Sequence, residues 1–393
     1  MTGPGDDLRF SVLLISHSFP PALGGSEMEA QRVCSALLRR GHQVTVLCSG
    51  GPPMPDESSW IDPAGVPVRI FGRHRLVRDY AFALGVAWTL FRERRRYRIV
   101  YFLMQGLHLA VGLPVARLLR KPVVMKVSGS RVITTMRGSW MGRLELRLLR
   151  RWAHRVMILN PGMAEEAIAA GLEPNRLLWM PNPVDTDEFA PCAPERRREL
   201  RARLGLEPSA PVVIFVGRLI PVKGLPSLIQ AFATVRRDVP NASLVLVGDG
   251  PLRSELETLA AGLSLAGAVR FTGRQTAAEV REWLQASDVF ALVSISEGLS
   301  CSLLEAMSAG LPSVVSDIPA SVQLVEAEIH GLHAPSGSPD PIAAALHRLL
   351  LDAPLRARMG AAARQRMLAG YSIDKVVDRY EALFAGMLDA GRR

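Results

Sequence analysis

Apolar runs of strand length alternate with runs of helical composition along almost the whole chain, and this alternation decides the fold class. The runs 11–15, 44–48, 68–71, 99–103, 123–127, 155–159 and 177–180 are strand-like, with helical stretches between most of them. A strand that returns after a helix runs in the same direction as the one before it, so such a series predicts parallel sheets covered by helices. The series breaks at 181–194, where Pro181, Pro183, Pro191 and Pro194 precede a charged helix start and read as a linker. Strands resume at 212–216, 243–247, 269–271, 289–292 and 313–316. The expectation is an α/β chain with domains at 1–190 and 191–370 and a terminal segment at 371–393. A length of 393 residues is enough for two separate cores.

Composition narrows the classes. Hydrophobic residues at 48% and charged residues at 21% describe a globular chain. Cys34, Cys48, Cys192 and Cys301 are scattered without ligand spacing, which points away from a disulfide framework or a zinc site and suits a reducing cytosol. Residues 1–7 have no basic-then-apolar signal pattern, so a cytoplasmic location is expected. The stretch 99–119 is long enough to cross a bilayer, but Gln105, His108, Pro114 and Arg117 interrupt it. A strand at 99–103 and a helix at about 107–119 are expected there instead.

The net charge of +10 is concentrated in the first half, at 92–98 and 137–155. The second of these runs combines Trp140 and Trp152 with several arginines. Two readings stay open: a basic amphipathic helix on an anionic membrane, or a helix packed on the sheet with a basic outer face. Nucleic acid is not expected as a partner, because no stacking platform or binding module accompanies the charge.

Three segments carry candidate chemistry. In Glu297-Gly298-Leu299-Ser300-Cys301-Ser302-Leu303-Leu304-Glu305, an apolar strand leads through a turn into a helix. One carboxylate sits at the turn and the other within the helix, about 12 Å away at a rise of about 1.5 Å per residue. The N–H groups of the first helical turn lie between them, where a phosphate is favoured. The order reads as sugar, diphosphate, ribose. Upstream, the apolar strand 212–216 runs into Gly217, Arg218 and then Lys223-Gly224. A guanidinium fork and a compact ammonium after a parallel strand suit a diphosphate. Near the N-terminus, Gly24 and Gly25 precede a helix and permit close approach to a phosphate or sugar, although the three-glycine dinucleotide fingerprint is absent.

Together with Val247-Gly248-Asp249-Gly250-Pro251, Met180-Pro181-Asn182-Pro183-Val184-Asp185, Phe271-Thr272-Gly273-Arg274 and Ala306-Met307-Ser308-Ala309-Gly310-Leu311-Pro312, these segments resemble the retaining glycosyltransferases of family 4 over nearly the whole chain. The resemblance implies a GT-B fold: two facing Rossmann-like domains, a central cleft, and a C-terminal helix crossing back to the first domain. It implies retaining, metal-independent transfer of a hexose from a nucleotide-diphosphate sugar to a hydroxyl acceptor in polysaccharide or glycolipid biosynthesis. By this resemblance Arg218 and Lys223 meet the diphosphate and Glu297 the sugar. Glu305 meets the ribose, Gly25 with Gly24 approaches the diphosphate, and Arg274 lies near the base. Cys301 and Ser302 line the phosphate turn. No cofactor and no metal are implied. Asp185-Thr186-Asp187 resembles a metal motif of another transferase fold but reads as a turn.

One departure concerns the acceptor side. The family commonly carries a histidine after the strand at 123–127, where this chain has Ser128. A serine hydrogen-bonds but carries no charge. Lys126, Arg131 and His108 are neighbouring candidates for acceptor contact. A lipid-linked acceptor, and with it a peripheral position at the inner face of an anionic membrane, is the corresponding expectation. Two other readings stand beside transfer: a nucleotide-sugar epimerase or hydrolase on the same fold, and a silent nucleotide-binding subunit.

Overall fold

The computed structural model describes residues 9–21, 24–51, 54–55, 57–72, 77–129 and 131–390; the N-terminal stretch 1–7 discussed above lies outside them. The chain divides into two compact units, Met1–Pro183 with Ile373–Arg393, and Val184–Ser372.

The first unit holds β1 (Ser11–Ser16), β2 (Gln43–Ser49), β3 (Ser59–Ile61), β4 (Pro67–Phe71), β5 (Ile99–Leu103), β6 (Val123–Lys126), β7 (Arg155–Ile158) and β8 (Leu177–Trp179). They form one sheet in the order β3-β4-β2-β1-β5-β6-β7-β8. Every neighbouring pair is parallel except β3–β4. β3 has no counterpart in the sequence reading. Three residues are too few to show a period, and an antiparallel edge pair needs no helix to connect it. The stretch weighed as a membrane span resolves into β5 and the helix Leu107–Leu118. No described helix is long and apolar enough to cross a membrane.

The second unit holds β9 (Val212–Val216), β10 (Ser243–Val247), β11 (Val269–Gly273), β12 (Val289–Leu292), β13 (Ser313–Ser316) and β14 (Gly331–Ala334). Their order is β11-β10-β9-β12-β13-β14, parallel throughout. β14 escapes sequence reading because Gly331-Leu332-His333-Ala334 has no apolar run; it is an edge strand. The chain leaves β9 toward β10 and β11, then returns to lay β12 on β9's other side. The strand order therefore reverses between β9 and β12, which opens a crevice at their carboxyl ends.

The helix Ile373–Ala390 belongs to the first unit. Its Val376, Val377, Tyr380, Phe384 and Met387 join the core formed with Phe10, Val12 and Leu37. Beneath it lies a charged centre: Lys126 Nζ donates to Glu29 Oε1 at 2.7 Å and to Asn182 Oδ1 at 3.0 Å, and Tyr380 Oη donates to the same Glu29 oxygen at 3.2 Å. Lys126 and Glu29 are fully buried. At the rim, Arg40 pairs with Asp374 at 2.9 Å and with Asp378 at 2.7 Å. A buried pair contributes little beyond its own desolvation, but breaking it leaves an unmatched charge in the core. Glu29→Gln should therefore cost about 3 kcal/mol of stability. Tyr380→Phe, which loses one hydroxyl, should cost about 1 kcal/mol. Chemical denaturation followed by circular dichroism checks both, and equal small effects would contradict the central role of the pair.

Glu145, in the helix Trp140–Trp152, is also buried. Burial pushes its carboxyl from 4.5 up to about 7, against the opposing effect of a hydrogen bond from the Gly106 backbone. The unfolded chain then loses this proton before the folded chain does. This group's contribution to stability is present below about 4.5, falls as pH rises to about 7, and is level above that. Glu145→Gln should raise the melting temperature relative to wild type more at pH 8 than at pH 4.5, as measured by paired thermal melts.

Candidate functional site

The site is built from the loops that leave β9, β10 and β12. At the end of β10, Gly248 passes so close to β9's exit that an added Cβ would lie 1.9 Å from the Gly217 carbonyl oxygen. Gly224 has φ +65°, and a Cβ there would lie 2.5 Å from the Val293 carbonyl oxygen. Only glycine lets these loop backbones touch. The second contact brings the 3-10 turn Pro221–Lys223 against the exit of β12.

There Lys223 Nζ donates to Glu297 Oε1 at 2.5 Å, and Ser294 Oγ donates to the same oxygen at 2.7 Å. The two charged side chains are 16% and 12% exposed, so the pair is partly shielded yet open to solvent on one side. Ser294 has no signal in the sequence; its part follows only from its place just after β12. Past Glu297 the chain reaches Ser300, which caps the helix Cys301–Ser308 by accepting from Leu303 N–H at 3.3 Å. Serine is favoured there because its hydroxyl satisfies a helix-end donor. Cys301 and Ser302 occupy the first turn, half-buried, and Glu305 lies in the second. Because the helix starts only at Cys301, the 1.5 Å helical rise does not apply over the whole Glu297-to-Glu305 stretch. The expected 12 Å separation is not a helical distance.

The remaining candidates of this unit are placed but not gathered onto the ion pair. Arg218 is exposed on the loop after β9, beside the crevice. Arg274 is exposed directly after β11, the outer strand, with β10 between it and β9. Asp185 Oδ1 accepts from the N–H groups of Asp187 at 3.1 Å and Glu188 at 2.9 Å, so the Asp-x-Asp run serves a turn.

In the first unit, Gly24 is the N-cap of the helix Gly25–Arg39, with extended backbone and no side-chain cap. Glu27 lies in the first turn, where its Oε1 accepts from Ser18 Oγ at 2.6 Å. A carboxylate therefore already stands at this helix N-terminus, which weakens the electrostatic case for a diphosphate beside Gly24 and Gly25.

Two acceptor-side candidates lie in the interior of the first unit. Lys126 is a core group, fully buried among Glu29, Asn182 and Tyr380. His108 is likewise buried, its ring 5.1 Å from that of Phe82, and burial pushes its imidazole down to about 3, so it is neutral at pH 7. Ser128 Oγ is buried without a hydrogen-bond partner among the described residues. Arg131 is exposed and left-handed, with φ 58°. What sequence reading missed is His17, whose Nε2 lies 3.1 Å from Asp79 Oδ1, just past the end of β1. The hydrogen bond from His17 holds the Asp79 carboxyl below its ordinary range. Two residues so far apart in sequence leave no spacing pattern to find.

Comparison with known proteins gives this geometry its context. Residues 24–183 match the family described as Glycosyl transferase 4-like domain, and residues 196–366 match Glycosyl transferases group 1. Over 390 residues, 95% of this chain and 98% of the relative, the sequence is 29% identical to the GDP-mannose-dependent alpha-(1-6)-phosphatidylinositol monomannoside mannosyltransferase of Mycobacterium tuberculosis. It is 28% identical to the alpha-D-kanosaminyltransferase of Streptomyces kanamyceticus, over 77% of this chain and 82% of that one. Among solved structures, Anabaena HepE in complex with UDP-glucose aligns at a TM-score of 0.81 with 20% identity, over 96% of this chain and 100% of that one. WaaG, a glycosyltransferase involved in lipopolysaccharide biosynthesis, aligns at 0.71 with 19% identity, over 95% and 99%. At these identities the structures carry the fold, and the two family matches carry the activity. With parallel Rossmann-like sheets in both units, the chain belongs to the GT-B glycosyltransferases of family 4 type and transfers sugar from a nucleotide sugar.

Proposed function

We propose that this glycosyltransferase is retaining and metal-independent, and that it moves a hexose from a nucleotide-diphosphate sugar to a hydroxyl of a lipid-linked acceptor at the inner face of a membrane. The observation that carries the reading is the Lys223–Glu297 pair, 2.5 Å apart where β9 and β12 diverge. Lys223 has three N–H donors, so it can hold the carboxylate and a phosphate oxygen together. Arg218 adds a guanidinium fork. Two cations at a departing diphosphate supply the charge stabilisation that a divalent ion supplies in other sites, which supports a reaction without metal. Glu297, oriented by Ser294, accepts from hydroxyls of the donor sugar, and Glu305 from those of the ribose. The first turn at Cys301 and Ser302 suits phosphate oxygens. Arg274, exposed after β11, is assigned to the base.

Retention follows if the acceptor attacks on the face from which the diphosphate departs. The bond from the anomeric carbon to the phosphate oxygen breaks, the acceptor oxygen bonds to that carbon, and the hydroxyl proton passes to the released phosphate. Orientation and charge stabilisation then carry most of the barrier reduction. A relative named as GDP-mannose-dependent and acting on a phosphatidylinositol mannoside makes GDP-mannose the first donor to test and supports a glycolipid acceptor.

Saturating GDP should raise the wild-type melting temperature by mass action. Lys223→Ala should abolish that shift, and an unchanged shift would sink the diphosphate assignment. Glu297→Gln should keep most of the GDP shift while transfer from the sugar nucleotide falls about a hundredfold. Full transfer by this variant would remove Glu297 from the reaction.

A further inference from the structure

In the first unit, the helix Arg78–Arg92 is apolar on two opposite faces. Phe82, Ala83, Val86 and Leu90 are buried, and the helix packs on β2, β4 and the neighbouring helix Leu107–Leu118. On the outer face, Tyr80, Leu84, Trp88 and Phe91 are 66%, 68%, 53% and 58% exposed. Their spacing of four, four and three residues sets them in one stripe, roughly 16 Å long at the helical rise. A surface helix ordinarily carries charge on that side, yet nothing between Tyr80 and Phe91 is charged. Leu118 of the neighbouring helix is exposed as well. Large apolar side chains aligned in the open mark a docking surface.

Charge identifies the occupant. Where the stripe ends, the Arg92 guanidinium lies 5.1 Å from the centre of the Trp88 ring and that of Arg94 lies 5.1 Å from the centre of Phe91. Arg95, Arg96, Arg98, Arg117 and Arg120 are exposed nearby in sequence or on the neighbouring helix's end. The one acidic residue in the span 80–98, Glu93, is engaged by Arg69. Aromatic rings beside arginines suit the boundary between acyl chains and anionic headgroups, where rings sit at the interface and guanidinium groups meet phosphates. A second copy of the same patch would set arginines against arginines. We propose that the Tyr80–Leu84–Trp88–Phe91 stripe with its arginine end docks the first unit on an anionic lipid surface. This rests on the proposed lipid-linked acceptor only for its purpose, since docking is measured without transfer.

The test is co-sedimentation of the full chain with vesicles of phosphatidylcholine alone or of phosphatidylcholine and phosphatidylglycerol in equal parts. Wild type should pellet with the anionic vesicles only, and added salt should release it. Trp88→Ser with Phe91→Ser, and separately Arg95→Glu with Arg98→Glu, should each lower the bound fraction about tenfold. In both variants the GDP-induced thermal shift should stay as in wild type, which separates a failure of docking from a failure of folding or of donor binding. Wild type left in the supernatant with anionic vesicles would overturn the proposal. So would a Trp88/Phe91 variant that pellets like wild type, or self-association that the variant loses without any vesicle binding.

Discussion

A parallel sheet whose strand order reverses leaves two adjacent strands whose exits turn opposite ways, and the second unit depends on that reversal between β9 and β12. Backbone contact at Gly224 and Val293 closes the loops together, and the Lys223–Glu297 ion pair forms across them. A side chain at Gly224 would push the Lys223 turn off β12, with Glu297 losing its cation. The topology thus fixes where a ligand is received, while the ion pair fixes which charges meet it. Ser294 and the Ser300 cap hold the carboxylate and the helix start from either side.

The first unit rests on a different device. A buried lysine and glutamate, joined by Asn182 and Tyr380, sit where the helix Ile373–Ala390 meets the sheet. The end of the chain is therefore part of the core of its beginning, not an appendage. The same unit leaves the outer face of the Arg78–Arg92 helix apolar. A core held by a specific charge network and an outer helix face without charge differ in role: one fixes the packing of the unit, and the other is the face proposed to dock on lipid.

Long apolar strands bounded by glycine or proline were legible from sequence, because a buried parallel strand writes itself as an unbroken apolar run. β3 and β14 were not, since a three-residue edge pair and Gly331-Leu332-His333-Ala334 carry no such run. Lys223 and Glu297 were legible as residues with the right chemistry after the right strands, but their contact is a product of topology. Lys126 and His108 stood out in the sequence for their charge and imidazole, and nothing in the sequence told that the fold buries both. Trp88 and Phe91 carry no outward signal in the sequence, since an aromatic residue at helical spacing looks the same on either face, and only burial shows them facing outward. His17 and Asp79 were invisible for want of any sequence proximity.

The central claim is that the Lys223–Glu297 pair receives the donor's diphosphate and sugar. A crystal structure of the protein with GDP-mannose tests it most directly. The account predicts a phosphate oxygen within hydrogen-bonding distance of Lys223 Nζ and a sugar hydroxyl donating to Glu297. A well-ordered donor that contacts neither residue would contradict it.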